Sequence, residues 1–274
     1  ADYTMQQWDS LSVSPYYIPI ALILVYIILL ILSVGRILLR YYDMSISYDK
    51  KFLTFSYGLI SRASSRFSFD KICTLWIKRN FLEKRFNLCT LMLKQALNAS
   101  VMKEDDKLKI YGADTSVFYL EWWLGKDYKE SAEIITSKSG KGVIMHSVIP
   151  WLVIALALTI ILCYYQEYTF LFIPIAFLLY SIIKGWSAMQ RSKIILKDSY
   201  VIISNGSFAD NENYLKYNNI EVVGIKRTPF TRWFHRVSML LSTSGSSFTV
   251  RSLKEKDAEF IYETILNRSI GACI

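Results

Sequence analysis

The chain of 274 residues carries 32 Lys and Arg against 23 Asp and Glu, a formal net charge of +9, and is 53% hydrophobic. Its mean hydropathy of +0.26 is high for a soluble protein, so membrane segments are expected, and the length leaves room for two small domains besides. The four cysteines (Cys73, Cys89, Cys163 and Cys273) show no metal-ligand spacing, and no HExxH, GxSxG, GxGxxG or Walker pattern occurs, so the sequence offers no footing for a catalytic, metal or cofactor site.

In chain order, residues 1–16 form a polar and aromatic lead containing Asp2 and Asp9. Residues 17–39 follow as an apolar run closed by Arg36 and Arg40, long enough to cross a hydrocarbon core of about 30 Å. A second span is expected over 143–164 and a third over 168–186, joined by the turn Tyr165-Gln166-Glu167, which forces the two helices to be antiparallel neighbours. Pro174 predicts a kink in the third span, for which a re-entrant or interfacial hairpin is the alternative.

Residues 1–35 and 142–183 contain no Lys or Arg, so all 32 basic residues lie in the blocks 36–141 and 184–274. With three spans those two blocks face the same side, and the positive-inside bias of Arg36, Arg40, Lys138, Lys141, Lys184, Arg191 and Lys193 makes it the cytoplasmic one. The same distribution accounts for the positive charge without nucleic acid.

The first polar block, about 42–137, reads as short strands over 44–48, 51–57, 65–69, 72–79, 88–95 and 107–111. A helix is expected over 115–124 with Asp114 as its N-cap, and a second helical piece over 127–137. The second block, about 190–270, reads as strands over 193–196, 200–204, 214–217, 220–227, 237–242 and 247–251. Ser252-Leu253-Lys254-Glu255 then reads as a capping box opening a helix to about Asn267, with Leu253, Ala258, Ile261, Tyr262, Ile265 and Leu266 as its apolar stripe.

These blocks are two copies of one pattern. Sliding the sequence by 148 positions sets Ile46 on Ile194 and Leu93 on Leu241 without a gap, matching Gly58 to Gly206 and Ile77-Lys78-Arg79 to Ile225-Lys226-Arg227. The shift also lays the first span on the third, from which a further helix upstream of Ala1 is expected in the natural protein.

The segments Ile72–Phe86 and Ile220–Phe234 share the pattern I-x-x-x-x-I-K-R-x-x-x-x-[KR]-x-F, each set among strands that precede one helix and follow one span. In this the chain resembles the bacterial pleckstrin-homology-like (PH-like) domains of membrane-anchored YdbS/YdbT-type proteins, in tandem copies. The resemblance implies an α+β membrane protein: three transmembrane helices plus two bent antiparallel β-barrels, each capped by a C-terminal helix. It also implies a non-enzymatic protein of the bacterial cytoplasmic membrane, with a role in envelope maintenance or stress tolerance. The second copy departs from the pattern, with Ser207-Phe208 in place of Leu59-Ile60 and an acidic stretch, Asp210–Asn213, where the first copy has Arg62–Ser65.

The candidate contact residues are the basic and aromatic positions of that segment: Lys78, Arg79, Phe81, Lys84 and Arg85 in the first copy, with Phe86 beside them, and Lys226, Arg227, Phe230, Arg232, Trp233 and Arg236 in the second, with Phe234 beside them. Three readings stand open: core-plugging phenylalanines with a solvated basic rim, contact with anionic inner-leaflet lipid, or a protein interface. Phe118, Tyr119, Trp122 and Trp123 are too broad for one buried stripe. The expected partners are membrane lipids and a sister subunit of the same family or further copies of this chain. An accessory role in membrane transport or export is the alternative, weakened by the lack of an ionisable residue at mid-span.

Overall fold

The computed structural model describes residues 17–49, 52–59, 62–96, 107–113, 116–166, 168–228, 231 and 234–271. The lead 1–16, the loop 98–106, Asp114, and Phe230, Arg232 and Trp233 of the candidate segment lie outside the described residues. The chain divides after Ser68 into two compact units.

In the first unit, α1 (Tyr17–Arg40) keeps apolar side chains such as Leu22, Leu29 and Leu38 exposed around its circumference. A helix apolar on every side has no stable place in water, and Ile20–Leu39 is long and apolar enough to cross a membrane. Its end is tied down by two backbone hydrogen bonds, from the Gly58 N–H to the Tyr42 carbonyl (3.0 Å) and from the Leu59 N–H to the Leu39 carbonyl (3.2 Å). Strands β1 (Ser45–Tyr48), β2 (Phe52–Tyr57) and β3 (Ala63–Ser68) form an antiparallel meander. The period of two turns Leu53 and Phe55 inward, and the Phe55 ring meets Phe67 edge-on at 5.9 Å.

The second unit begins with β4 (Ile72–Arg79), α2 (Phe81–Arg85), β5 (Cys89–Gln95), β6 (Lys107–Ala113), α3 (Ser116–Leu124) and β7 (Glu133–Lys138). Two long helices follow, α4 (Gly142–Tyr164) and α5 (Phe172–Arg191). Then come β8 (Lys193–Lys197), β9 (Tyr200–Asn205), β10 (Asp210–Lys216), β11 (Val222–Lys226), β12 (Arg236–Thr243), β13 (Ser246–Lys254) and α6 (Glu255–Gly271).

Strand pairing in this unit crosses the duplication. One seven-stranded antiparallel sheet runs β6-β5-β4-β10-β9-β8-β7, and a separate three-stranded sheet runs β11-β12-β13. The join is the β4–β10 ladder, which sets Asp210 opposite Arg79 and Leu215 opposite Thr74. Further contacts hold it: Asn219 Nδ2 donates to the carbonyl of Ile72 (3.0 Å), and Lys94 Nζ donates to Ser246 Oγ (2.9 Å). No ring of strand pairs closes among the described residues, so the pairings form open sheets, one of them shared, where the resemblance implied two barrels.

The second-copy core lies between β8–β10 and β11–β13. Ile194, Val201, Ile203 and Leu215 on one side, and Val237, Met239, Leu241 and Val250 on the other, are almost wholly buried. Ala258, Ile261 and Ile265 of α6 close it, which is the expected stripe at helical spacing. The capping box does not form, because β13 continues through Lys254 and the helix starts at Glu255. Ser252 is buried in the strand with a left-handed φ of 57°. The stretch 127–137 departs likewise: after a short 3-10 turn, residues 133–138 extend as β7 because the edge of β8 supplies their hydrogen bonds.

α4 and α5 are each long and apolar enough to cross a membrane, the second counted with the turn from Tyr168. Pro174 is the third residue of α5, where a missing N–H costs no helical bond, and so gives no mid-helix kink; the proline inside a helix is Pro150 of α4. The two helices pack antiparallel with Trp151 stacked on Phe177 at 5.5 Å. They approach closely at Gly185, where an added Cβ would lie 3.0 Å from Ile144 Cα and 3.1 Å from Ser147 Cβ. Gly185→Val should therefore splay the pair and destabilise the protein by about 1–3 kcal/mol, read as a lower Tm in detergent, with Gly185→Ala milder. An unchanged Tm for the valine variant would refute this packing.

Candidate functional site

The first-copy segment folds as α2, a single helical turn between β4 and β5. Glu83 fastens it: the Asn80 N–H donates to Glu83 Oε2 at 2.7 Å, and Thr90 Oγ1 donates to Glu83 Oε1. Asn87, at a left-handed φ of 54°, turns the chain back into β5. The turn projects Phe81, Leu82 and Phe86, which are 79%, 66% and 69% exposed. Phe81 and Phe86 are therefore not core plugs. Around them Arg85 is exposed, Lys78 is half-buried opposite Asn211, and Arg79 Nη2 donates to Ser116 Oγ at 3.2 Å.

Lys84 remains partly exposed and pairs with Asp210 of the second copy. Asp210 also receives Arg191 Nε at 2.8 Å, while Arg191 Nη1 donates to the Ser207 carbonyl at 2.7 Å. Burial pushes the Asp210 carboxyl upward, but hydrogen bonds and charge from Lys84 and Arg191 outweigh it and hold the group below the ordinary carboxylate range. The acidic stretch that seemed to mark a divergent loop thus lies in β10, where one carboxylate joins α2, α5 and the shared sheet.

In the second copy, Arg227 is taken up by α6, with Nε on Glu255 Oε1 at 2.9 Å and Nη2 on Glu259 Oε1 at 2.8 Å. Thr228 and Thr231 bond one another, the Thr228 N–H reaching Thr231 Oγ1 at 2.8 Å. Phe234 is exposed. Arg236 lies over Gly140, and its Nη1 donates to the Ser252 carbonyl at 3.1 Å; the same carbonyl accepts the Gly140 N–H at 2.8 Å. A Cβ at Gly140 would sit 2.7 Å from the Arg236 guanidinium, so any larger residue there would displace that guanidinium.

Lys226 and Arg236 open onto a groove of about 1190 Å³ between the start of α4 and the outer face of β11–β13. Lys141 and Arg251 add two more cations, and among the described residues no Asp or Glu lines it. Its apolar wall includes Met145, Ile149 and Met189. Sequence reasoning missed Arg251, Gly224 and the methionines as site residues, and read Lys141 only as a span-flanking charge. The signal that was available is the duplication itself: the 148-residue shift lays Gly224 on Trp76.

The remaining candidates are structural. Tyr119 and Trp123 of α3 are buried, Trp122 meets Phe69 edge-on at 5.3 Å, and Phe118 is partly exposed. Burial raises the thiols of Cys73 and Cys89, which stay protonated at neutral pH.

Antiparallel sheets around an apolar core, a closing C-terminal helix, and an apolar helix before each copy define a tandem α+β module. The bacterial PH domain family matches residues 11–116 and 144–269, and the chain belongs to that family, whose domains act in general as binding modules. Comparison with curated proteins gave no match.

The Asp210 cluster carries a pH signature. The folded carboxyl ionises more readily than the unfolded one, so its contribution is complete above the unfolded value and is lost as pH falls through the depressed folded value. Asp210→Asn should cost about 1 kcal/mol at pH 7, a figure discounted for screening of a side chain that is 40% exposed. The gap between wild type and variant should close in thermal unfolding as pH falls below the ordinary carboxylate range. A gap independent of pH would show that these pairs contribute nothing.

Proposed function

We propose that the protein is a multi-pass component of the bacterial cytoplasmic membrane. In this reading its PH-like domains, about 42–137 and 190–270, face the inner leaflet and act as binding and assembly modules. Three apolar helices support the reading, and so does the confinement of all 32 basic residues to the blocks 36–141 and 184–274.

The observation that carries an assembly role is the projecting turn Phe81-Leu82 with Phe86. Large apolar side chains held this far out on a fastened turn are an interaction feature, because solvent alone gives no return for exposing them. With Arg85 beside them they suit a partner that offers an apolar pocket and an acidic rim. A sister membrane subunit of the same family, or another copy of this chain, provides that chemistry next to the membrane, and anionic lipid meets the same basic rim.

Two measurements test this. Reporters inserted near Asp49 and near Asp198 should both report the cytoplasmic face; opposite faces would end the proposal. Phe81→Glu with Phe86→Glu should lower the yield of co-purifying or crosslinked partner at least about ten-fold in mild detergent, with Tm unchanged. An undiminished yield would remove the turn from the interface.

A further inference from the structure

The groove at the start of α4 has a composition the assembly role does not use. Its outer-face sheet residues follow from strand alternation: Val237, Met239 and Leu241 point into the core, so Arg236, Ser238 and Leu240 point out. Lys226 lies opposite Ser238, and the bulge after Val237 sets Ser238 against Arg251 and Ser252. Two cations therefore stand in one row across the sheet, with Arg236 fixed over Gly140 and Lys141 at the head of α4. None of the four pairs with a carboxylate of the described residues. Like charges gathered without a counter-ion repel one another, and an anion relieves this.

The next row of the face, Gly224, Leu240 and Thr249, is hollow at its glycine. Gly224 sits opposite Leu240, and a Cβ built there meets only Leu240 Cβ, at 4.0 Å. At the matching place in the first copy stands Trp76, half-buried. A glycine inside a strand weakens it, and such a position often marks the close approach of another group. Met145, Ile149 and Met189 carry the apolar wall onward along α4 and α5, the two helices read above as membrane spans. Flexible methionines suit a chain of no fixed shape.

We propose that this groove holds one anionic phospholipid of the inner leaflet, its phosphate among Lys141, Lys226, Arg236 and Arg251 and an acyl chain along Met145, Ile149 and Met189. The proposal rests on the reading of α4 and α5 as membrane spans. A cavity of about 1190 Å³ is larger than a small anion needs, and a mixed basic and apolar lining fits an amphiphile better than a purely polar solute. The first copy, with Trp76 in place of Gly224, does not offer the equivalent hollow, so one lipid per chain is expected.

The test uses the full chain, stripped of lipid in mild detergent. It is titrated with phosphatidylglycerol, with phosphatidylcholine of the same chain length, and with glycerol phosphate, and bound lipid is counted by native mass spectrometry. One phosphatidylglycerol per chain is expected, held at least about ten-fold more tightly than phosphatidylcholine and not displaced by glycerol phosphate. Gly224→Trp should abolish retention, and Gly224→Ala should preserve it. Lys226→Ala with Arg251→Ala should weaken it about thirty-fold, which keeps the proposal open to refutation if the tryptophan variant misfolds. Equal retention of both lipids, unchanged retention in the double-alanine variant, or displacement by glycerol phosphate would each overturn it. Alkaline washing of membranes separates the two levels: a chain that washes off refutes the membrane reading, while one that stays yet shows no preference refutes only the groove.

Discussion

A strand edge with unpaired backbone groups must find a partner or face water, and the β4–β10 ladder is this protein's answer. In a tandem repeat each copy is expected to satisfy its own edges. Here β4 of one copy and β10 of the other satisfy each other, and the rest of the second unit follows from that choice. The ladder covers one edge of β4, whose residues Ile72–Leu75 are buried, brings Lys84 within reach of Asp210, and places Asn219 on the carbonyls of Ile72 and Cys73. The polar residues of β10 are satisfied within the sheet: Asn213 is buried and its side-chain amide donates to the Ile203 carbonyl of β9 at 3.2 Å.

The consequence for the candidate segment is a division of labour between the two copies of the motif. Lys84 and Arg227 hold different places in it, yet both are drawn into the framework by carboxylates, Asp210 of the neighbouring copy for one and Glu255 and Glu259 of the closing helix for the other. What is left free differs. The first copy presents an apolar tip, and the second presents cations beside a hollow. A duplication relaxes the demand that one surface serve every purpose, and the contrast of Trp76 with Gly224 shows where the two surfaces separated.

Most strands and all three long helices were legible because they rest on local signals. The alternation of Leu53 and Phe55, the helical spacing of Ala258, Ile261 and Ile265, and the continuous apolar run of α1 each state their environment without help from distant residues. The misreadings came from tertiary partners. Residues 133–138 look helical until β8 offers an edge, and Ser252 looks like a cap until the Gly140 N–H and the Arg236 guanidinium hold its carbonyl inside a strand. The exposure of Phe81 and Phe86 was open between core and surface, since a phenylalanine after a strand fits either; Glu83, by fastening the turn to Asn80 and Thr90, decides it. The groove was invisible because its walls come from segments far apart in sequence.

The shared sheet also imposes an order on synthesis. The strands β8–β10 are flanked by β4 on one side and β7 on the other, both made earlier by the ribosome. Until the later half emerges and both α4 and α5 are in place, those two flanking strands wait with bare edges. A nascent chain stalled at that stage is open to capture by its twin, through the same ladder that completes the finished molecule.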